Sequence, residues 1–267
     1  MRRAAHALTA EAPLDGAVAV VTGALGRLGP VWIAALAEAG ATVVGIDVRA
    51  EGADAPPGCD SLETADVTDR SSLDGVRGRV LAEHDVPLVL VNNAGIDQPP
   101  DAAARTHHIE DVPLEDFRHT LDVNLAGTFN TIQAFGAPMR DAGRGSIVNI
   151  GSLYASVAPE PRFYDHIQAD PPFLKPAAYG ASKAGVVNLT RYFARLWGPH
   201  GVRVNALSPG GVEGGQDDEF LGKYSARVPL GRMADPSDLA APLVFLASDA
   251  SRYITGHELR VDGGFTA

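Results

Sequence analysis

The segment from residue 17 to residue 47 constrains the fold more than any other part of this sequence. It opens with the short apolar run AVAVVT (17–22), and a turn containing three glycines follows. The helical pattern PVWIAALAEAG comes next, with Pro30 in a first turn that tolerates proline and Gly40 at its end. A second β-rich run, ATVVGID, ends at Asp47. This order predicts a β-α-β unit with two parallel strands.

The same unit has the layout that a dinucleotide site requires. Glycines let the backbone approach a pyrophosphate, the helix N-terminus supplies free N–H groups, and an acid accepts hydrogen bonds from the adenosine ribose. Asp47 lies eighteen residues after Gly29. Its carboxylate would repel a 2′-phosphate, which favours NAD(H) over NADP(H), although Arg27 and Arg49 lie close enough in sequence to weaken this preference. The alternative interpretation is a tight turn in an ordinary α/β unit.

Strand and helix patterns alternate along the rest of the chain. The alternation predicts a doubly wound, Rossmann-type α/β fold, with about seven parallel strands and helices on both faces. Ligands bind such sheets at the carboxyl ends of the strands. The further predicted strands lie at 61–67, 86–95, 146–152, 201–211 and 257–264, and the further predicted helices at 69–84, 113–140 and 177–198.

Composition excludes several classes of function. The formal charge of −11 and the pI near 5.1 argue against nucleic acid or an anionic membrane as partner. No apolar run approaches the length of a transmembrane helix. Cys59 is the only cysteine, which is compatible with a reducing cytoplasm, and no spacing of His, Cys, Asp and Glu resembles a metal site. We expect a mobile N-terminal tail at 1–13 and a single NAD-binding catalytic domain at 14–267.

Two side chains near the start of the 177–198 helix form a candidate acid/base pair. Tyr179 and Lys183 lie four residues apart, so both emerge from the same helix face. An ammonium ~4 Å from a phenol oxygen would favour the phenolate by up to ~4 kcal/mol at an effective dielectric constant of ~20. The spacing therefore predicts that Lys183 lowers the pKa of Tyr179 and makes it a proton donor and acceptor near neutral pH.

Nearly the whole chain, from about residue 14 to residue 265, resembles the short-chain dehydrogenase/reductase family in its compact single-domain form. The resemblance implies that Tyr179 exchanges a proton with the substrate oxygen and that Lys183 assists it and holds the nicotinamide ribose. It further implies that Ser152 orients the reacting group and that Asn124 supports a proton relay. The motifs are the glycine turn at 22–29, Asp66-Val67, Asn92-Asn93-Ala94-Gly95, Asn124, Ser152, Tyr179-x-x-x-Lys183 and Pro209-Gly210.

The cofactor-binding residues expected from the glycine turn and from this resemblance are spread over five strand ends and the start of the 177–198 helix. They are Gly23, Gly26, Arg27, Leu28, Gly29, Asp47, Asp66, Val67, Asn93, Ala94, Gly95, Tyr179, Lys183, Pro209, Gly210 and Val212.

The sequence departs from the family pattern in three places. Arg27 stands where the compact form usually has its second turn glycine, and Gly214 stands where a Thr often contacts the nicotinamide amide. Ser152 and Tyr179 are 27 residues apart, about twice the usual spacing. Five prolines in the extra chain exclude a long regular helix. We interpret residues 154–176 as an ordered flap over the substrate pocket, with a subunit-contact loop as the alternative.

Residues 211–235 lie where the family carries a mobile substrate lid. The polar groups in the flap and lid predict a polyol, sugar or hydroxy acid as substrate. The candidate substrate contacts are Tyr154, Tyr164, His166, Gln216 and Phe220.

The leading hypothesis is an NAD(H)-dependent oxidoreductase that interconverts a secondary alcohol and a ketone. The G-x-x-G-x-x-G spacing of the turn keeps an NAD-dependent epimerase or dehydratase as an alternative, and a non-catalytic NAD-binding regulator is the third. The resemblance also implies a homotetramer or homodimer, assembled through the 179–197 helix and the C-terminal strand.

Overall fold

A computed structural model describes residues 12–98 and 106–267. The predicted tail at 1–13 lies outside the described residues, except for its last two positions. The strands are β1 (Val18–Thr22), β2 (Thr42–Asp47), β3 (Ser61–Thr64), β4 (Val89–Asn92), β5 (Gly145–Ile150), β6 (Val202–Pro209) and β7 (Glu258–Val261).

The seven strands of the described chain form one sheet in the order β3-β2-β1-β4-β5-β6-β7. Every neighbouring pair is parallel; Val21, for example, lies between Gly45 of β2 and Val91 of β4. Strands β2 and β3 lie on one side of β1, and strands β4 to β7 lie on the other. The point between β1 and β4 is the topological switch point, where such sheets bind ligands. The predicted seven-stranded parallel sheet is confirmed.

Helices cover both faces, because the central strands are apolar on both sides. On one face Trp32, Ile33 and Leu36 pack with Leu243 and Leu246; on the other, helices from three parts of the chain pack over β4, β5 and β6. The α-helices are α1 (Gly29–Glu38), α2 (Arg70–Glu83), α3 (Leu114–Leu121), α4 (Gly127–Ala142), α5 (Ala177–Trp197), α6 (Asp218–Ser225) and α7 (Ala240–Ala247).

The helix predicted over 113–140 is not one regular α-helix. A π-helical turn, Asp122–Ala126, separates α3 from α4, and the N–H of Gly127 donates to the carbonyl of Asp122. Such a turn adds one residue to the helix and is frequent at functional sites. Asn124 lies in this turn and is fully buried. The continuous-helix prediction was wrong at this point because hydrophobic periodicity does not register a single added residue.

An apolar stripe runs along α5 and is only partly buried. Val186 and Phe193 are buried, but Tyr192 is 60% exposed and Leu196 is 48% exposed. Tyr192 lines the groove between the π-helical turn, α4 and α5, together with Phe129, and Leu196 follows one turn further along α5. The stripe is therefore wider than the sheet can cover. Among the described residues, no helix has both the length and the apolar character needed to cross a bilayer.

The flap (154–176) and the lid (211–235) pack on each other and share a third core. The flap begins within the 3₁₀ helix Leu153–Ala155 and contains a second one, Pro161–Phe163; the lid contains α6. We call their shared core the aromatic cluster, formed by Phe163, Tyr164, Phe173, Phe220, Tyr224 and Phe265. An ordered flap agrees with this packing, and its role over a substrate stays a prediction.

Candidate active site

Hydrogen bonds join the glycine turn to the end of β4. Thr22 Oγ1 accepts from the backbone N–H groups of Asn93 and Ala94, both at 3.1 Å. Asn93 Nδ2 donates to the carbonyl of Gly23 at 3.0 Å, and Asn93 Oδ1 accepts from Trp32 Nε1 at 2.8 Å. The Asn93 side chain therefore positions the turn. Thr22 and Trp32, which share this task, were not among the predicted site residues.

The glycine turn fits a dinucleotide. Gly23 has φ +67°, and a Cβ on it would stand 2.8 Å from Ala94 Cα, so only glycine allows this close approach. Within the described chain, α1 starts after Leu28 without a side-chain cap. The N–H groups of its first turn thus remain open to an anion such as a pyrophosphate. Gly26 and Gly29 lie in the same turn, and Gly29 is buried at the helix start.

Asp47 ends β2 beside this turn, and its side chain is almost fully buried. One carboxylate oxygen accepts from the N–H of Leu25 at 3.0 Å, and the other accepts from Arg49 N and Nε at 3.0 and 3.2 Å. Burial raises the pKa of Asp47, but the hydrogen bonds from Arg49 and Leu25 outweigh it and hold the pKa below its ordinary value. The structure therefore places an ionised carboxylate at the predicted ribose position.

Two side chains predicted to bind ligands contact lid backbone instead. Arg27 Nη2 donates to the carbonyl of Val212 at 2.5 Å. Gln216 Nε2 donates to the same carbonyl at 3.0 Å, and its Oε1 accepts from the N–H of Gly214 at 2.8 Å. Val212 also pairs with Ala234 across the base of the lid. Arg27 and Gln216 thus hold the start of the lid next to the glycine turn.

The remaining predicted cofactor residues lie at other strand ends. Asp66 Oδ1 accepts from the N–H and hydroxyl of Thr68, both at 2.8 Å, so this carboxylate stabilises a turn. Val67 is buried under Gly127 at the start of α4. Pro209 ends β6, and the N–H of Gly210 donates to the carbonyl of Val261 at 2.9 Å.

Asn124 and Lys183 meet behind the loop that follows β4. A Cβ on Gly95 would stand 3.2 Å from Asn124 Oδ1 and 3.7 Å from Lys183 Nζ. Asn124 Oδ1 accepts from the N–H of Ile96 at 2.7 Å, and its Nδ2 donates to Ser182 Oγ at 3.1 Å. Because Gly95 follows Ala94, which contacts Gly23, Lys183 lies directly beside the predicted cofactor cleft.

Lys183, Tyr179 and Ser152 form one group at the carboxyl end of β5. Lys183 Nζ donates to the carbonyl of Ile150 at 2.8 Å and lies 5.8 Å from the centre of the Tyr179 ring. Ser152 hydrogen-bonds with Tyr179 and also accepts from the N–H of Tyr154 at 3.2 Å. The amine points into the protein, where its side chain is buried.

The prediction that Lys183 lowers the pKa of Tyr179 was wrong. Burial raises the pKa of Tyr179, the carboxylate of Asp97 raises it further, and the hydrogen bond with Ser152 only partly opposes them. Burial also lowers the pKa of Lys183 to about 8. The sequence argument counted the attraction of the ammonium for a phenolate, whereas in the folded chain desolvation of both groups dominates.

Asp97 and Lys175 lie next to Tyr179 and were not predicted as site residues. Lys175 Nζ is 2.5 Å from Asp97 Oδ2 and 5.5 Å from the centre of the Tyr179 ring. Tyr154 lies edge-on to Tyr179, and its hydroxyl is 3.2 Å from that of Tyr164. Charged partners that are far apart in sequence leave no local pattern, which is why this pair was missed.

Three predicted substrate residues belong to the contact between flap and lid. Tyr164 and Phe220 are buried in the aromatic cluster, with ring centres 5.6 Å apart. His166 Nε2 is 3.0 Å from Asp217 Oδ2 in the lid. Tyr154, by contrast, contacts the Tyr179 ring directly.

Asp165, His166 and Glu219 bring potential metal-ligand atoms within 4.8 Å of one another, a cluster that sequence spacing did not indicate. Lys223 Nζ pairs with Asp165 and lies 2.7 Å from Glu219. The ammonium therefore supplies the positive charge among these groups, and together they form an ionic contact between flap and lid.

Comparisons with known proteins find relatives that match nearly the whole chain. A family model described as enoyl-(acyl carrier protein) reductase matches residues 28–266. The D-threitol dehydrogenase of Mycolicibacterium smegmatis is 38% identical over 269 residues, which cover 95% of this chain and 94% of the relative.

Solved structures share the whole fold. A short-chain dehydrogenase from Leptospira borgpetersenii with bound NAD⁺ has a TM-score of 0.83 and 31% identity, covering 96% of this chain and 94% of its own. A gluconate 5-dehydrogenase from Burkholderia cenocepacia in complex with NADP and tartrate has a TM-score of 0.79 and 30% identity, covering 96% and 97%. The protein is thus an enzyme of the short-chain dehydrogenase/reductase family, whose members are oxidoreductases that use a nicotinamide cofactor.

Proposed function

We propose that this enzyme interconverts a secondary alcohol and a ketone on a polar, polyhydroxylated substrate, with NAD(H) as cofactor and Tyr179 as general acid/base. The observation that carries the proposal is the convergence of Tyr179, Ser152 and Lys183 beside the glycine turn and Asp47. A regulator that only binds NAD has no need of this group.

The chain's own residues would hold the cofactor along the switch point of the sheet. The open N-terminus of α1 suits the pyrophosphate, Asp47 suits the adenosine ribose, and Lys183 would donate to the second ribose. When bound, the nicotinamide supplies the hydride chemistry.

The proton chemistry falls to Tyr179. Its hydroxyl would take a proton from the substrate alcohol in oxidation and return it to the carbonyl oxygen in reduction. Ser152 hydrogen-bonds with Tyr179 and is placed to orient the same substrate oxygen. Lys183 Nζ lies 5.8 Å from the centre of the Tyr179 ring and would hold the nicotinamide ribose next to it.

Asp47 supports the choice of NAD(H). Its carboxylate is ionised and held by backbone donors, so a 2′-phosphate there would meet a fixed negative charge. Arg49 pairs with the same carboxylate and is largely exposed. The family neighbours include complexes with NAD⁺ and with NADP, and in this chain the preference for NAD(H) depends on the Asp47 side chain.

The cleft beside Tyr179 supports a polar substrate. Asp97, Lys175 and Tyr154 surround the ring with a carboxylate, an ammonium and a hydroxyl. A substrate rich in hydroxyl groups can hydrogen-bond with such groups, whereas a hydrocarbon would displace water from them without replacing its hydrogen bonds. Among the relatives, one is named for D-threitol and one for gluconate, both polyhydroxy compounds.

We also infer that the groove between α4 and α5 is covered by a second copy of the chain. Tyr192 and Phe129 line this groove and are exposed, and Leu196 is exposed one turn further along α5; large apolar side chains that cluster on a surface mark contact sites. Light scattering after gel filtration tests the inference: Tyr192→Lys is expected to shift a dimer or tetramer toward the monomer.

One experiment tests the function. The enzyme is mixed with NAD⁺ and a panel of polyols, sugars and hydroxy acids, and NADH is followed by its absorbance. We expect NADH to accumulate with at least one polyol, and Tyr179→Phe to lower kcat about 10²- to 10⁴-fold with unchanged NAD⁺ affinity. Turnover without net NADH would indicate an epimerase or dehydratase, and unchanged kcat in Tyr179→Phe would refute the role of this residue.

A further inference from the structure

The ion pair between Asp97 and Lys175 has a more deeply buried Lys or Arg side chain than the other ion pairs of the described residues. The Lys175 side chain is only 8% exposed, and its Nζ also donates to the carbonyl of Gln98 at 3.1 Å. The Asp97 side chain is 34% exposed, so the carboxylate is the member of the pair that faces open space. An ammonium that deep requires its partner, because an unpaired buried charge is strongly destabilising.

The pair lies in the reaction cleft. Lys175 and Lys183 each place an Nζ within 6 Å of the centre of the Tyr179 ring, at 5.5 and 5.8 Å. The Asp97 carboxylate raises the pKa of Tyr154, Tyr164 and Tyr179 alike. Since Lys175 Nζ lies 2.5 Å from Asp97 Oδ2 and 5.5 Å from the centre of the Tyr179 ring, the carboxylate lies near the ring, and a ligand that reaches the Tyr179 hydroxyl also comes close to Asp97.

The carboxylate keeps capacity for further hydrogen bonds. Oδ2 accepts from Lys175 and Oδ1 accepts from the N–H of Gln98 at 2.8 Å, while each carboxylate oxygen has two acceptor positions. The opposite charges of the pair cancel at a distance. Asp97 therefore offers strong acceptors to hydroxyl groups, and the ion pair as a whole adds no net positive charge that would attract an acid.

We propose that Asp97, held in place by Lys175, binds hydroxyl groups next to the reacting carbon and makes the enzyme select neutral polyols over sugar acids. The proposal rests on the oxidoreductase function proposed above and names its substrate class. Lys175 acts through Asp97 and is a positioning residue, whereas Asp97 touches the substrate. An aldonate would bring its own carboxylate close to that of Asp97, and the two would repel each other.

The test measures KM and kcat with D-threitol and with D-gluconate, at saturating NAD⁺. Asp97→Asn is expected to raise KM for D-threitol about 10- to 100-fold, because hydrogen bonds to a charged acceptor are lost. Lys175→Met keeps the carboxylate, so KM for D-threitol changes less than about fivefold.

The two variants should affect D-gluconate in opposite directions. Asp97→Asn removes a negative charge and is expected to lower KM for D-gluconate at least about threefold, whereas Lys175→Met removes a positive charge and is expected to raise it by a similar factor. If Asp97→Asn does not fold, the double variant Asp97→Asn/Lys175→Met removes both charges and should show the same loss toward D-threitol. Arg79→Met, which breaks the Arg79–Glu63 pair at the far edge of the sheet, is the control.

The outcomes separate this inference from the proposed function. Wild-type enzyme that reduces NAD⁺ with D-gluconate but with no polyol keeps the oxidoreductase function and overturns the selection. Unchanged KM for D-threitol in Asp97→Asn and in the double variant overturns the inference, because the ion pair then only holds the flap in place. A rise in KM for NAD⁺ that parallels the rise for D-threitol leads to the same conclusion. Absence of NADH with every substrate overturns both.

Discussion

The guanidinium of Arg27 lies flat against the backbone of Gly214, so closely that a Cβ at Gly214 would overlap it. These are two of the positions at which the sequence departs from the family pattern, and the structure shows that the departures fit each other. The arginine that replaces a turn glycine needs space, and the glycine that replaces a threonine supplies it. Together they join the glycine turn to the lid.

Gly214→Ala should release this contact. The new methyl group displaces the exposed Arg27 side chain, and its hydrogen bond to Val212 is lost. An exposed hydrogen bond contributes about 0.5–1.5 kcal/mol, so proteolytic cleavage in the lid is expected to accelerate about 2- to 10-fold. Gly222→Ala in α6, where a Cβ meets no neighbour, is the matched control. Equal cleavage of both variants would contradict the prediction.

Asp47→Asn should weaken the preference for NAD⁺ over NADP⁺. The amide keeps an acceptor for the N–H of Leu25 but loses the charge that repels a 2′-phosphate. We expect the ratio of kcat/KM for NADP⁺ to that for NAD⁺ to rise at least about 10-fold, which corresponds to about 1.4 kcal/mol. Asp74→Asn, on α2, serves as control. A ratio that stays constant would remove Asp47 from cofactor selection.

Lys183 should make folding stability depend on alkaline pH. Its pKa is lowered from 10.5 in a free side chain to about 8, so between these values the unfolded chain binds more protons at this amine than the folded chain. Stability therefore rises with pH across this window. From pH 7.5 to pH 9, the free energy of unfolding of the wild type should rise about 1 kcal/mol more than that of Lys183→Met.

Urea unfolding at the two pH values measures this difference. Lys223→Met is the control, because ion pairs with Asp165 and Glu219 raise the pKa of the Lys223 amine and keep it protonated throughout the range. It should retain the wild-type rise. If Lys183→Met retains the rise as well, the amine is not desolvated in the folded chain.

Phe163→Ala should loosen flap and lid without unfolding the sheet. The Phe163 ring packs on Tyr224 and Phe265, with ring centres 5.5 and 6.2 Å apart, and is buried. Truncation of a buried Phe costs about 3–5 kcal/mol, so hydrogen exchange of the α6 amides should accelerate at least about 100-fold. The β1 amides should keep their protection. Tyr253→Ala, at an exposed aromatic residue, should change neither.

The sequence was sufficient to predict the sheet, because strand and helix periods are local and strand ends in a parallel sheet meet at one edge. The spacing of Tyr179 and Lys183 likewise follows from helix geometry alone. Arg27 and Val212 are 185 residues apart, and Asp97 and Lys175 are 78 residues apart, so neither contact has a local signature. The direction of the Tyr179 pKa depends on burial, which spacing does not report.

The aromatic cluster draws its side chains from the flap, the lid and the C-terminal segment, and this has a consequence for changing the enzyme. Rings from separate stretches of chain support one another, so neither wall of the cleft can be redesigned alone. A library that randomises only residues 154–176 would mostly contain variants whose flap no longer packs on the lid. Directed evolution toward a new substrate is therefore best begun from paired mutations, one on each side of the cluster, or from whole flaps and lids exchanged together between relatives.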